Sequence, residues 1–269
     1  SLFFHIISCK HSCRFTERVR LPHVLQFLQD EQCDVIGLQE TKVDDDKFPE
    51  DEIRKLGYSC LFSGHKAYNG VAILTRDESV AVSDASFGIP GYPDPQKRLA
   101  AATITAQSGA SFRFVCGYFP NGQAPGAAKY LYKLEWFCAL RSAIEARLRT
   151  DPNLILVGDM NVAPTDEDIW DPEGWKGHIL VSDAERDAFN SLIALGLTDA
   201  FRKAPVTEGD WSWWDYRNNA LLRDQGARID HTLVSDPLVG KIESVKIRRA
   251  YRELPQPSDH TPVVLELSL

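Results

Sequence analysis

Short apolar runs rich in Val and Ile recur along the chain, at Asp34–Leu38, Gly70–Thr75, Leu99–Ile104, Phe112–Gly117, Leu154–Val157, Ile229–Val234 and Pro262–Leu267. Runs of this kind, bounded by Gly, Pro, Asn or Asp, predict buried strands. Three other segments carry the helical period instead. Leu21, Val24, Leu25 and Leu28 follow it. So do Leu131, Leu134, Phe137, Leu140, Ile144 and Leu148, in a long helix expected to end before Asp151-Pro152. Ser182 with Glu185 forms a capping box that opens a third helix, carrying Phe189, Leu192 and Ile193. Strands outnumber helices, and they come in consecutive pairs too close together for a helix between each. The expectation is an α+β fold, a layered sandwich rather than a doubly wound parallel sheet. No repeat, low-complexity tract or Gly/Ser linker divides the chain, so one domain over residues 1–269 is expected. Four segments read as loops, Gly88–Pro95, Pro120–Gly126, Trp170–Gly177 and Gly209–Arg217, and these carry the tryptophans and most of the Pro and Gly.

Composition narrows the class. With 43% hydrophobic residues the chain can offset its conformational entropy by burial, which excludes disorder. Its length of 269 residues also removes the need for a disulfide-stapled scaffold. The net charge of −8 and pI near 5.4 argue against a basic protein that coats nucleic acid. They leave room for an acidic enzyme that meets DNA through a local basic face and a bound metal. The six cysteines form no C-x-x-C pair, and Cys33, Cys60, Cys116 and Cys138 read as reduced, packed thiols. Leu2–Ile7 lacks a basic leader and a cleavage site, so a cytoplasmic protein is expected. No apolar run approaches the roughly 20 residues that span a bilayer, so no membrane partner is expected.

The candidate chemistry lies where polar residues meet strand ends. Asp34-Val35-Ile36-Gly37-Leu38 runs into Gln39-Glu40, and Leu154–Val157 runs into Gly158-Asp159-Met160-Asn161. Asp230 opens a strand within Arg228-Ile229-Asp230-His231, and Ser258-Asp259-His260 directly precedes another. Any one such acid is ordinarily a solvated carboxylate or a turn former. Four of them, with an Asn and a His alongside, point to a site. Converging carboxylates need a cation between them. Oxygen ligands without Cys suit Mg²⁺, or Mn²⁺, better than Zn²⁺. Such an ion polarises a phosphoryl oxygen, so the chemistry implied is metal-assisted hydrolysis of a phosphate ester.

Six segments carry a resemblance: Leu38-Gln39-Glu40-Thr41-Lys42, Gly117-Tyr118-Phe119-Pro120-Asn121-Gly122, Gly158-Asp159-Met160-Asn161, Trp213-Trp214-Asp215-Tyr216-Arg217, Arg228-Ile229-Asp230-His231 and Pro257-Ser258-Asp259-His260-Thr261-Pro262. In this order they resemble the signatures of the exonuclease III family of abasic-site endonucleases, within the endonuclease/exonuclease/phosphatase superfamily. The resemblance runs from about Leu21 to the end of the chain. It implies a four-layer α/β sandwich with two facing mixed β-sheets. It further implies Mg²⁺-dependent incision of duplex DNA at abasic sites, removal of 3′-phosphodiesters and 3′-phosphates, and 3′→5′ exonuclease action, by a monomer.

Carried over residue by residue, Glu40 resembles the family's main metal ligand, and Asp159 and Asn161 the pair that positions water and the scissile phosphate while joining the metal site. Asp230 and His260 resemble a dyad beside the phosphate, and Asp259 the acid that assists the metal. Tyr118 resembles the phenol that hydrogen-bonds the phosphate. Lys129 and Arg98 resemble basic residues near the same site and the DNA backbone. Trp213, Ala227 and Ile229 resemble the residues around a pocket for an extruded, base-free deoxyribose, with Ala227 smaller than the Leu or Trp often found there. Lys246, Arg248, Arg249 and Arg252 form a further basic cluster, either a solvated face or a strip that tracks phosphates.

The N-terminal segment, residues 1–17, departs from the family pattern. The family's first strand carries an Asn-x-Asn-Gly/Ser element, yet this chain has no Asn before Asn69. One alignment puts Cys13 at the missing Asn, another Lys10. The spacing of His5, Cys9, His11 and Cys13 would suit zinc, but nothing else in the chain suggests a structural zinc. Two further readings remain: a phosphatase of the same superfamily, and a catalytically impaired relative that binds nucleic acid in a regulatory role.

Overall fold

The computed structural model describes residues 3–10 by their backbone, and residues 20–66 and 68–269 in full. In chain order the first half contains β1 (Phe3–Lys10), α1 (Leu21–Glu31), β2 (Val35–Gln39), α2 (Glu50–Arg54), β3 (Tyr58–Ser63), β4 (Val71–Arg76), β5 (Val80–Phe87), β6 (Leu99–Ala106), β7 (Ser111–Tyr118) and α3 (Ala128–Leu148). The second half contains β8 (Leu154–Asp159), α4 (Pro172–Trp175), α5 (Asp183–Ile193), β9 (Leu197–Asp199), α6 (Ala200–Lys203), β10 (Val206–Glu208), β11 (Trp213–Trp214), β12 (Gly226–Ala227), β13 (Asp230–Ser235), α7 (Asp236–Val239), β14 (Ile242–Ile247) and β15 (Val263–Ser268).

The central strands are apolar on both faces, which is why they appear as unbroken runs rather than alternations. In β8, Ile155 and Val157 face the opposite sheet, while Leu154 and Leu156 face the helices. One sheet has the order β10-β14-β15-β1-β2-β4-β3 and the other β5-β6-β7-β8-β13-β9, with β11 and β12 as a separate ribbon. The two sheets pack face to face through Val35, Val71 and Ile73 against Phe112, Phe114 and Ile155. Gly37 allows their approach, because a Cβ there would come within 2.9 Å of Cys116 Sγ and Val157 Cγ2. On the outer face of the first sheet, α1 buries Leu21, Val24, Phe27 and Leu28. On the outer face of the second, α3 and α5 bury Trp136, Phe137, Leu140, Phe189 and Leu192. Each such side chain contributes about 1.5–3 kcal/mol relative to an exposed one. The layers are therefore helix, sheet, sheet, helix, the expected sandwich. No helix among the described residues is long and apolar enough to cross a membrane.

Several expectations are corrected. The long helix spans Ala128–Leu148, but its packed stripe is Tyr130, Lys133, Phe137, Leu140 and Ile144, with Trp136 beside it. Leu131 is 57% exposed. Lysine inside the stripe hid its phase from a reading that sorts residues by polarity. Strands β3, β5 and β14 had no apolar run to announce them; β5 is a sheet edge with most of its residues exposed. Four of the tryptophan assignments also move, since Trp136 is core on α3, Trp175 ends α4, and Trp213 and Trp214 form β11. The capping box at Ser182 and Glu185 forms as expected, with both reciprocal bonds present.

At the N-terminus, β1 runs antiparallel to β15 and parallel to β2, so the atypical segment supplies a central strand. Its last residue, Lys10, pairs with Gln39, the residue before Glu40. His11 and Cys13 lie outside the described residues, as do residues 11–19 as a whole.

Candidate active site

Register across three neighbouring strands builds the centre of the site. Strands β7 and β8 are parallel with Tyr118 opposite Asp159, and β8 and β13 are antiparallel with Asp159 opposite Asp230. A phenol and two carboxylates therefore stand in one row at one end of the sheet. One residue back the row is Gly117, Gly158 and His231. Gly158 has φ 157°, and a Cβ there would fall on the Gly117 carbonyl oxygen. The glycine before Asp159 is thus required by the close strand approach that aligns the row.

His260 reaches the row from the loop before β15. Its Nδ1 lies 2.7 Å from Asp230 Oδ2, and the two side chains are each 1% exposed. The carboxylate accepts the Nδ1 proton, which leaves Nε2 as the nitrogen able to bind or exchange a proton with a ligand. Asp230 Oδ2 also accepts from Ser212 Oγ at 2.8 Å. The Ser212 hydroxyl accepts in turn from the backbone N–H groups of Ile229 and Asp230, both at 3.0 Å. Ser212 is wholly buried and carried no signal in the sequence; only its place beside β12 gives it a role.

Asp159 is held by its neighbour two residues on. Its Oδ1 accepts from Asn161 N at 3.0 Å and its Oδ2 from Asn161 Nδ2 at 3.1 Å. Asn161 sits in the left-handed region with φ 52°, which a short amide side chain tolerates better than most. Glu40, at the end of β2 in the other sheet, is left-handed too, with φ 59°. Its Oε1 accepts from the Tyr118 hydroxyl at 3.0 Å and pairs with Lys42 Nζ at 3.0 Å. Backbone in this region costs of order 1 kcal/mol or more per residue and gathers at functional sites.

Below the row, Arg228 and His231 anchor the start of β13. Arg228 pairs with Asp168 and Asp199, each at 2.7 Å, and with His231 Nδ1 at 3.0 Å. Burial, and then the Arg228 charge, push His231 down to about 4, so its ring is neutral and Nε2 donates to Val162 O. Burial alone would raise Asp168, but the Arg228 guanidinium overcomes it and keeps the carboxyl below its ordinary value.

The donor set fits a divalent cation. Asp159, Asp230 and His260 each offer a ligand atom within 4.8 Å of the others. Asp230 Oδ1 is buried with no hydrogen-bond partner among the described residues. Two buried carboxylates on adjacent strands repel unless a cation stands between them. Asp159 is common to this group and to the set expected from the sequence, whereas the acids Glu40 and Asp259 are not in it.

Residues 18–260 match the model of the endonuclease/exonuclease/phosphatase family. The chain belongs to that family. It is 34% identical over 258 residues to exodeoxyribonuclease III of Haemophilus influenzae, covering 91% of this chain and 94% of that one. Identity to an exodeoxyribonuclease of Bacillus subtilis is also 34%, over 91% and 92% of the two chains. Among solved structures, a 3′ phosphatase from Neisseria bound to a product DNA hairpin superposes with a TM-score of 0.90 at 39% identity, covering 99% and 100% of the two chains. An AP endonuclease from Archaeoglobus fulgidus gives 0.88 at 30% identity, with the same coverage.

Around the row, this family member places the remaining expected residues unevenly. Trp213 is half-buried beside it: its indole N–H donates to Asp259 Oδ2 at 3.1 Å, and its ring lies 6.5 Å from those of His260 and Trp175. Ala227 and Ile229 are almost fully buried in a cluster with Ala163, Ile169 and Leu180, so they back Trp213 and present little surface themselves. The Arg98 guanidinium lies 4.8 Å over the Tyr118 ring and donates to Tyr118 O. Arg98 and Lys129 share a cleft of about 940 Å³ with Tyr118, Asn121, Tyr68 and Lys66. In the basic cluster near the C-terminus the charges have partners within the protein. Lys246 pairs with Glu266, Arg248 with Glu31 and Arg249 with Asp224, while Arg252 is buried and donates to the Ser258 and Trp214 carbonyls.

Proposed function

We propose that the protein is a metal-dependent DNA-repair nuclease that hydrolyses phosphodiesters of duplex DNA at abasic sites and at 3′ ends, and removes 3′-phosphates. The observation that carries this reading is the row Tyr118, Asp159 and Asp230 with His260 locked onto Asp230. The relatives named as exodeoxyribonucleases, a 3′ phosphatase and an AP endonuclease support the substrate class.

In this mechanism Asp159, fixed by two bonds from Asn161, uses its remaining lone pairs to orient the attacking water and take its proton. The Asn161 amide gives its two N–H groups to Phe119 O and Asp159 Oδ2, and so fixes Asp159 beside the scissile phosphate. His260 donates from Nε2 to the phosphoryl oxygen on which charge develops, with Asp230 stabilising the imidazolium. The Tyr118 hydroxyl would exchange its Glu40 partner for the phosphate, and Arg98 and Lys129 line the cleft through which the DNA backbone passes. Asp159 and Asp230 Oδ1, the pair whose repulsion calls for a cation, would hold it with Glu40, Asn161 and Asp259 as further oxygen donors, which suit Mg²⁺ or Mn²⁺, while His260 stays with the phosphate; the ion supplies polarisation of the phosphoryl oxygen when bound. We take the active species to be a monomer. The free thiols of Cys33, Cys60, Cys116 and Cys138 suit the expected cytoplasmic setting.

Trp213 separates the abasic-site part of this reading from the rest. An extruded sugar needs the indole face to pack on, whereas a terminal 3′-phosphate does not. Trp213→Ala is therefore expected to reduce abasic-site cleavage about tenfold more than 3′-phosphate release, equivalent to ~1.4 kcal/mol of lost packing. Equal losses in kcat/KM on the two substrates would assign Trp213 to holding Asp259 alone.

A further inference from the structure

We infer that Lys133, on the buried face of α3, is a positioning residue for the reaction, holding the Asn161 segment so that the Asn161 amide keeps the Asp159 carboxylate aimed at the substrate. The inference rests on the proposed nuclease reading. Neither Lys133 nor its partner Glu185 touches the reacting atoms.

Lys133 and Glu185 are both 0% exposed in their side chains and form a direct ion pair between α3 and the first turn of α5. Burial lowers Lys133 from its ordinary value while Glu185 opposes the shift. An ion pair in such a place is a poor device for stability, since apolar residues of similar volume serve as well or better. What an apolar pair cannot do is donate. The ammonium has three N–H groups and three acceptors: Glu185 Oε1, Asn161 O at 2.7 Å and Asn121 O at 3.3 Å. Its bonds thus join the loop after β7 to the loop after β8 at a single point.

Those two loops then fix the orientation of the Asn161 amide. Asn121 Nδ2 donates to Asn161 Oδ1 at 3.1 Å, and Asn161 Nδ2 donates to Phe119 O at 3.0 Å and to Asp159 Oδ2 at 3.1 Å. The bond to the Asn161 carbonyl supports the left-handed backbone there, which is otherwise sparsely populated. Glu185 is itself anchored by Leu180 N, Ser182 N and Ser182 Oγ, so the ammonium is held from behind by the start of α5.

The test removes both charges together. Lys133→Met/Glu185→Leu leaves no unpaired buried charge, so the fold should persist while the bonds to Asn161 and Asn121 are lost. Expected are a loss in kcat of about tenfold or more on a 3′-phosphorylated duplex, with KM nearly unchanged. In an Asn161→Ala background the same pair of changes should cost little more, because Lys133 acts through Asn161. Wild-type kcat in the folded double variant, or a loss that adds in full to that of Asn161→Ala, would overturn the inference. If the double variant does not fold, Lys133→Gln/Glu185→Gln keeps an N–H for Asn161 without charge, and is expected to retain more of kcat than Lys133→Met/Glu185→Gln; equal values would overturn it. Failure of the nuclease reading would appear separately, as no cleavage by the wild-type protein. In that case the Asn161 side-chain amide resonance still decides: it should shift or broaden in the folded variants, and an unmoved resonance counts against Lys133.

Discussion

His260→Ala and Asp230→Ala are each expected to lower kcat on a 3′-phosphorylated or abasic duplex by about 10³-fold, and the double variant should be hardly worse than either alone. The reason is geometric. The Nδ1–Oδ2 bond of 2.7 Å fixes both the tautomer and the direction of the imidazole, so without Asp230 the ring is present but not aimed. Ser212 adds a third member to this relay through its own bond to Asp230 Oδ2. Ser212→Ala should cost about tenfold, the loss of one hydrogen bond to a charged group. A double-mutant cycle on His260 and Asp230 reads the outcome: losses that add in full would mean that the two side chains work independently.

Glu40→Ala is the second change with a large expected effect, on the order of 10²-fold or more in rate. Glu40 brings a carboxylate from the other sheet to Tyr118 at 3.0 Å, and its side chain is 12% exposed, so its removal leaves Tyr118 in reach of water. The fold should hold, because Glu40 stands just past the end of β2 and the Lys42 ammonium and Tyr118 hydroxyl that it holds can turn to water. Thermal unfolding with and without Mg²⁺, beside a titration of rate against Mg²⁺, checks both halves. Glu40→Ala should unfold near the wild-type temperature yet need more metal for half-maximal rate. An unchanged metal requirement would remove Glu40 from the ligand set.

The legible part of the fold was its doubly buried layer. Strands β2, β4, β6, β7, β8, β13 and β15 are covered on both faces along most of their length, so each reads as a mainly apolar run; β3, β5, β10 and β14 lie at or next to sheet edges and carry polar residues that break the pattern. Each acid of the site could be read as standing at a strand end. That Tyr118, Asp159 and Asp230 form one row depends on register between strands far apart in sequence, which no local pattern encodes. Ser212 and Lys133 were missed for the same reason, since a buried polar residue is defined by partners supplied from elsewhere in the fold. The basic cluster at Lys246–Arg252 shows the same dependence on the fold. Its charges are neutralised by Glu31, Asp224 and Glu266, which approach only after folding.

Incubation of the full chain with three duplexes, bearing an abasic site, a 3′-phosphate or a recessed 3′ end, tests the metal-dependent nuclease most directly. Cleavage or phosphate release is expected in the presence of Mg²⁺, abolished by excess EDTA and restored when Mg²⁺ is returned. Activity that persists undiminished in EDTA, or no product from any of the three duplexes with Mg²⁺ present, would contradict it.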